Sequence, residues 1–262
     1  MDLNNKTAIV TGAASGIGNA TAIELAKHGC TPVLVDIKED RLAKALDEVL
    51  TYAPASTAEA CDISNAEQVS QMVQAVYERH GSIDILVNNA AIMTVKLFND
   101  LSEEEFKKHM DVNYYGAVAL IRAVVPVMQR QGKGVIINIA SVGGKLVVPG
   151  TSAYAASKAA LYAFSEALYY ELKGKGIHVG VIVPGGIHTG IFDTVDSKLG
   201  EYYRDQCTTS PLKITRSIRV AIEKERFETV VPSSSKLLLA AHGAIPGLFR
   251  KSLLSRLRPY FE

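Results

Sequence analysis

Three features are scarce in this chain of 262 residues: cysteine, unbalanced charge and long apolar runs. Its three cysteines, Cys30, Cys61 and Cys207, are odd in number, far apart and outside any C-x-x-C spacing. That argues against a disulfide framework or a metal site and fits inert thiols in a reducing, cytoplasmic setting. Formal net charge is +1, with no basic block upstream of the C-terminal segment, so nucleic acid is not an expected partner. No stretch approaches the roughly eighteen apolar residues that would span a bilayer. The opening MDLNNKTAIV lacks the charged-then-apolar profile of a secretory signal. No repeat of fixed period and no low-complexity linker divides the chain.

Hydrophobic residues make up 48%, ample for a well-buried core. Short runs rich in Val and Ile alternate with longer amphipathic stretches. The runs predict strands at 7–11, 31–36, 83–88, 134–140 and 178–183, with weaker ones near 56–60 and 229–231. The stretches predict helices over 17–27, 39–50, 66–80, 103–131 and 153–173. The strands are apolar on both faces, as expected when helices cover both sides of a parallel sheet. This rhythm predicts a single α/β domain, a doubly wound seven-stranded parallel sheet with helices on both faces, over residues 1–234. Residues 187–211 break the rhythm directly after the sixth strand, where a lid would lie. Residues 235–262 form an apolar and basic extension.

The segment TAIVTGAASGIG runs from a strand through a glycine turn into a helix. Gly12 permits the tight turn. Gly16 and Gly18 let the backbone approach a pyrophosphate closely at the helix N-terminus, where free N–H groups favour anions. Asp36 ends the second strand, placed to accept the hydroxyls of an adenosine ribose. A 2′-phosphate there would face the carboxylate, at a cost of about 4 kcal/mol per unit charge pair at an effective dielectric of 20. Neither Ala14, Ser15 nor Ile37 supplies a cation, and Lys38 lies two residues beyond. NAD is therefore the expected cofactor.

Ser141 ends the run GVIINIAS, and Tyr154 and Lys158 stand four apart in YAASK, on one face of a helix. A phenol with a pKa near 10 is too weak a base at neutral pH. An ammonium about 5 Å away is worth roughly 3 kcal/mol at the same dielectric, about two pKa units, so Tyr154 is expected to titrate low enough to move a proton. Ser141 would hydrogen-bond the reacting oxygen. A second pair, Tyr169 and Lys173, has Ala156 where the serine would stand and is expected to form a solvated or interface face. A proton device beside a nucleotide device points to hydride transfer between an alcohol or ketone and a nicotinamide.

At these motifs the chain resembles the short-chain dehydrogenase/reductase family over about residues 5–232. The matching segments are TGAASGIG at 11–18, CDIS at 61–64, NNAA at 88–91, MDVNYYG at 110–116, Ser141, YAASK at 154–158 and PGGIHTG at 184–190. The resemblance implies a catalytic set of Asn113, Ser141, Tyr154 and Lys158. In it Asn113 holds a water linking Lys158 to solvent, and Lys158 also grips the nicotinamide ribose. It implies that Gly12, Ser15, Gly16, Ile17 and Gly18 hold the dinucleotide with Asp36, that Asp62 binds the adenine, and that Ile63 packs beside it. Asn88 would brace the central strands and line the cofactor cleft, with Asn89 among the cofactor contacts. Ile187 and Thr189 would hold the carboxamide. Family members are commonly homotetramers or homodimers. Two departures are visible: Ala91 replaces a glycine, and Gly186 is expected to leave room beside the nicotinamide.

The residues expected around the substrate are Met93, Val142, Leu146, Val147, Gly186, Ile191 and Phe192, nearly all apolar, with Lys145 expected to point to solvent. They favour a hydrophobic secondary alcohol or ketone of steroid-like, terpenoid or long-chain type. The extension 235–262 would lie in a membrane interface, or pack on the subunit or its neighbour. The spread of its apolar residues favours packing. A protein that senses NAD without turnover would need only the glycine turn and Asp36, so the complete proton set argues for an enzyme. A sugar-nucleotide epimerase would need a larger C-terminal substrate domain.

Overall fold

The computed structural model describes residues 1–187 and 197–260. Seven strands form one sheet: β1 (Thr7–Thr11), β2 (Thr31–Asp36), β3 (Thr57–Ala60), β4 (Ile85–Asn88), β5 (Gly134–Ile139), β6 (Ile177–Pro184) and β7 (Glu228–Val231). Their order is β3-β2-β1-β4-β5-β6-β7 and every pairing is parallel. All the carboxyl ends therefore share one edge. The direction of winding reverses between β1 and β4, the place where open sheets of this kind leave a crevice for ligands.

The helices are α1 (Gly16–Ala26), α2 (Glu39–Leu50), α3 (Ala66–His80), α4 (Glu103–Met110), α5 (Gly116–Gln131), α6 (Ser152–Leu172), α7 (Lys198–Asp205), α8 (Pro211–Lys224), α9 (Ser235–Ala244) and α10 (Pro246–Leu257). Successive strand residues alternate between two cores. Ile85, Val87, Val135 and Ile137 meet Leu25, Ile218 and Ile222 on one face, while Leu86 and Ile136 meet Val73, Leu120 and Val124 on the other. Burial on both faces is why these strands read as unbroken apolar runs.

Besides α7, α9 and α10, which lie in the lid and the extension where no helix was named, two elements depart from expectation. The helix anticipated over 103–131 is interrupted by a π-helical turn at Asp111–Tyr115, in which the Gly116 N–H reaches back to the Asp111 carbonyl. A Cβ on Gly116 would stand 2.9 Å from the Ile63 side chain, so glycine permits this close approach. The second departure is α8, which fills a stretch where no helix was anticipated. Ser210 caps it, Pro211 opens it, and Ile214, Ile218 and Ile222 bury its inner stripe. Among the described residues no helix is long and apolar enough to cross a membrane.

Candidate active site

The nucleotide turn joins β1 to α1. Gly12 and Gly16 have φ of +66° and +58°, a region that side-chain-bearing residues avoid. A Cβ on Gly18 would stand 2.1 Å from the Gly12 carbonyl oxygen, so the turn closes only with glycine there. Ser15 precedes α1 in extended conformation without capping it through its side chain, and the first turn carries no acid. That helix end is open to an anion, and the cradle fits a dinucleotide pyrophosphate. Asp36 stands at the end of β2, its two oxygens accepting the N–H groups of Ala14 and Lys38 at 3.0 Å each. Asn89 braces the turn: its Nδ2 donates to the Thr11 carbonyl at 2.8 Å. Thr11 in turn accepts the N–H groups of Asn89 and Ala90 on its hydroxyl.

Asp62 begins the turn into α3, where one carboxylate oxygen accepts both the N–H and the hydroxyl of Ser64. Ile63 is buried against α5. Asn88 donates to Asn138 at 2.8 Å, and Asn138 to Ser165, tying β4, β5 and α6 together.

The residues expected to handle the proton meet at the carboxyl end of β5. Ser141 follows that strand, its hydroxyl accepting the Gly143 N–H. Tyr154 and Lys158 lie on the first turns of α6. Lys158 is 2% exposed and donates to the Ile139 carbonyl at 2.7 Å, its ammonium 5.9 Å from the Tyr154 ring centre. Burial pushes the Lys158 pKa down to about 7. Burial also raises the Tyr154 phenol, against a hydrogen bond with Ser141 that lowers it and with the neighbouring Cys207 adding to the rise. This corrects the expectation of a phenol depressed by a nearby ammonium. Burial thus opposes the charged form of both groups.

Asn113 lies in the π-helical turn. Its Nδ2 donates to the Ile92 carbonyl at 2.9 Å and to Ser157 at 3.0 Å, and its Oδ1 accepts the Ile92 N–H. Ser157 donates to the Tyr154 carbonyl at 2.7 Å. Asn113 thus fastens the start of α6 to the loop after β4.

Residues 6–200 match the family model described as short chain dehydrogenase. The chain belongs to that family. Oxidoreductase UcpA of Salmonella typhimurium is 38% identical over 194 residues, covering 74% of this chain and 73% of the relative. Ketoacyl reductase HetN of a Nostoc species is 34% identical over 245 residues, 91% of this chain and 84% of that protein. A short-chain dehydrogenase/reductase from Burkholderia phymatum, solved in complex with NAD, superposes with a TM-score of 0.87 at 25% identity, covering 95% of this chain and 96% of that one. The protein is thus an oxidoreductase of a family built to bind a nicotinamide dinucleotide.

Around this short-chain dehydrogenase centre the apolar side chains divide. Met93 joins Val95, Leu97, Leu199 and Cys207 in one cluster. Val142 joins Val181, Val183 and Val230 in another, Leu146 is buried, and Val147 is exposed. Thr189, Ile191 and Phe192 lie outside the described residues, as does the rest of 188–196 of the expected lid. Its described part, α7, is pinned by Tyr203 donating to the Pro149 carbonyl and Ser197 to that of Val95.

Three further expectations are corrected. A Cβ on Gly186 would stand 3.2 Å from the Gln206 carbonyl oxygen and 3.4 Å from the Cys207 sulfur, so that space is taken by the segment running back past Ile187. Lys145 does not point to solvent: it pairs with Glu228, to which Tyr162 also donates, and lies 3.8 Å over the Tyr162 ring. Burial opposes both charges, yet their hydrogen bond holds the Glu228 carboxyl below its usual range and Lys145 above. Tyr169 packs on Phe227 with ring centres 4.9 Å apart, so it belongs to the core's edge rather than to a solvated face.

Sequence reasoning missed Ser157 and His109. The buried His109 accepts the Thr94 N–H on Nε2 and meets the Glu105 carbonyl through Nδ1 at 2.7 Å, holding the loop that carries Met93 and Val95. Ser157 lies inside YAASK, three residues after Tyr154, a spacing that lets a serine hydroxyl reach the carbonyl one turn back.

Proposed function

We propose that the protein interconverts a hydrophobic ketone and its secondary alcohol with NAD(H), using Tyr154 as the proton donor and acceptor. The observation that carries this reading is the setting of Tyr154: Ser141 at its hydroxyl, the dehydrated Lys158 on its helix face, and Cys207 of an apolar cluster beside it. In reduction the phenol hands its proton to the ketone oxygen while Ser141 orients that oxygen. The raised phenol pKa suits this donor role at neutral pH. In oxidation the same groups work in reverse, favoured by higher pH. Asn113 holds α6 in place through Ser157.

A bound nicotinamide would supply or accept the hydride. Gly12, Ser15, Gly16, Ile17 and Gly18 would hold its pyrophosphate side, Asp36 the adenosine ribose, Asp62 and Ile63 the adenine, and Lys158 the nicotinamide ribose. Asn89 would keep the turn in shape, and Ile187 and Thr189 would take the carboxamide. Asp36 favours NAD over NADP by roughly a hundredfold in catalytic efficiency once screening trims the charge repulsion. Asp36→Ala with Ile37→Arg should erode that preference, because Ile37 is 63% exposed and leaves room for a guanidinium. Equal efficiency with both cofactors in the unmodified protein would sink the assignment.

The apolar cluster around Met93, Val95, Leu97 and Leu199 supports a steroid-like, terpenoid or long-chain substrate, and the Nostoc relative's name, ketoacyl reductase, favours the last. A screen of hydroxysteroids, terpenoid alcohols, aliphatic secondary alcohols and their ketones, read by NADH absorbance, tests this. Turnover confined to small charged substrates would overturn it. Three buried free thiols fit a cytoplasmic setting. Exposed Tyr115 and Tyr170 fit a homodimer or homotetramer, which light scattering would size.

A further inference from the structure

The C-terminal hairpin of α9 and α10 has two different faces. Its inner face is packed: Leu257, 1% exposed, joins Val95, Leu199 and Cys207, Leu253 packs against them, and the Tyr260 ring lies 4.9 Å from that of Tyr202. Packing on the same subunit, one of the two options open from sequence, therefore accounts for that side. It leaves the other side bare. At 100° per residue Leu237, Ala240 and Ala244 fall on one side of α9, and all three are exposed, Leu237 at 77%. Ile245 at the corner is exposed too, as are Leu248, at 65%, and Leu254 on α10. An ordinary surface helix puts polar residues outward; α9 puts leucine and alanine there.

Charge decides what this face fits. From Thr229 to Tyr260 the chain holds Lys236, Arg250, Lys251, Arg256 and Arg258 and no acidic residue. Lys236 faces Glu228. Arg250, Lys251 and Arg256 are exposed on α10 beside the bare leucines. Leu248, Lys251 and Leu254, spaced three apart, occupy about a third of the helical circumference, so a cation stands between two exposed leucines. A second copy meeting this face across a two-fold axis would bring the cationic rim against itself, with Glu262 the one acid of residues 229–262 to set against five cations. We propose that the outer face of α9 and α10 docks on an anionic lipid bilayer, leucines in the headgroup boundary and α10 cations on the lipid phosphates. The packed inner face then holds the docked surface next to α7 and the Met93–Leu199 cluster.

The test uses the full-length protein and co-sedimentation with vesicles of phosphatidylcholine, alone or mixed with phosphatidylglycerol. Binding is expected only to the mixed vesicles at low salt and should weaken as salt rises. Arg250→Ser with Lys251→Ser should lower the partition coefficient about thirtyfold at low salt. Leu237→Ser with Leu248→Ser should lower it roughly tenfold or more while leaving the thermal midpoint unchanged, since both side chains are already in water. No partition at low salt, or equal binding to both vesicle types, would overturn the proposal. So would a change of oligomeric size in the leucine variant, which would make this face an interface between copies. None of these readouts depends on turnover, so the docking surface and the proposed oxidoreductase reaction fail independently.

Discussion

Tyr154→Phe should cut turnover by roughly a thousandfold or more while leaving NADH binding, read by fluorescence, nearly intact. The substitution removes only the hydroxyl proposed to move the proton and keeps the ring at the start of α6. Tyr169→Phe is the control, on the same helix and also four residues before a lysine. Its ring lies against Phe227 and 5.3 Å from the Lys173 ammonium, with no serine counterpart to Ser141. Turnover there should stay within a fewfold. Ketone reduction should run well at neutral pH, because burial keeps Tyr154 protonated, and alcohol oxidation should climb into the alkaline range. Reversed behaviour of the two variants would place the chemistry elsewhere.

The elements that sequence patterning located best are those with local punctuation. The helix over 66–80 begins where Asn65 accepts the N–H groups of Glu67 and Gln68, and ends at Gly81 with φ of 73°. Both are readable as residue types at helix boundaries. The π-helical turn at Asp111–Tyr115 carries no such mark, because its apolar spacing continues that of the helices on either side. It ends at Gly116, whose close approach to Ile63 is a tertiary fact. The helix at 211–224 carries readable marks, Ser210, Pro211 and an isoleucine stripe, but it directly follows a stretch without apolar periodicity.

The candidate site divides in the same way. Spacing brings Tyr154 and Lys158 together and the glycine turn onto a helix end, because both are local geometry. The electrostatics were out of reach. Whether Lys158 acts as a charge depends on how much water reaches it, and the strand carbonyl it binds, Ile139, is nineteen residues away in the chain. The surroundings of the expected substrate residues were partly out of reach too. Val142 is next to Ser141 in sequence yet its side chain joins the β6–β7 side, whereas Val95 and Leu199 come from distant segments.

Lys158→Met should abolish or severely reduce turnover and at the same time stabilise the cofactor-free protein. The amine is a group with its folded pKa held down to about 7 against 10.5 for the free side chain. The unfolded chain therefore binds a proton that the folded chain does not anywhere between those two values. Stability consequently rises with pH across that window, and below about 7 the penalty is complete and level. The full shift corresponds to a cost of about 5 kcal/mol at low pH. Against it stands the hydrogen bond to the Ile139 carbonyl, whose loss in a buried strand end costs about 1–3 kcal/mol. Methionine fills much of the same volume without a charge. The net expectation at pH 6.5 is a gain of about 2–4 kcal/mol by urea denaturation. Because the penalty on the lysine shrinks as the unfolded chain loses its own proton, the advantage of methionine should fall by about 3 kcal/mol at pH 9.5. At that pH the lost carbonyl bond can turn the sign. A variant advantage that stayed constant from pH 6.5 to 9.5 would mean that Lys158 carries its charge in the folded protein. Tyr154 would then face a firm ammonium, and the account of a protonated phenol poised for reduction would have to be given up.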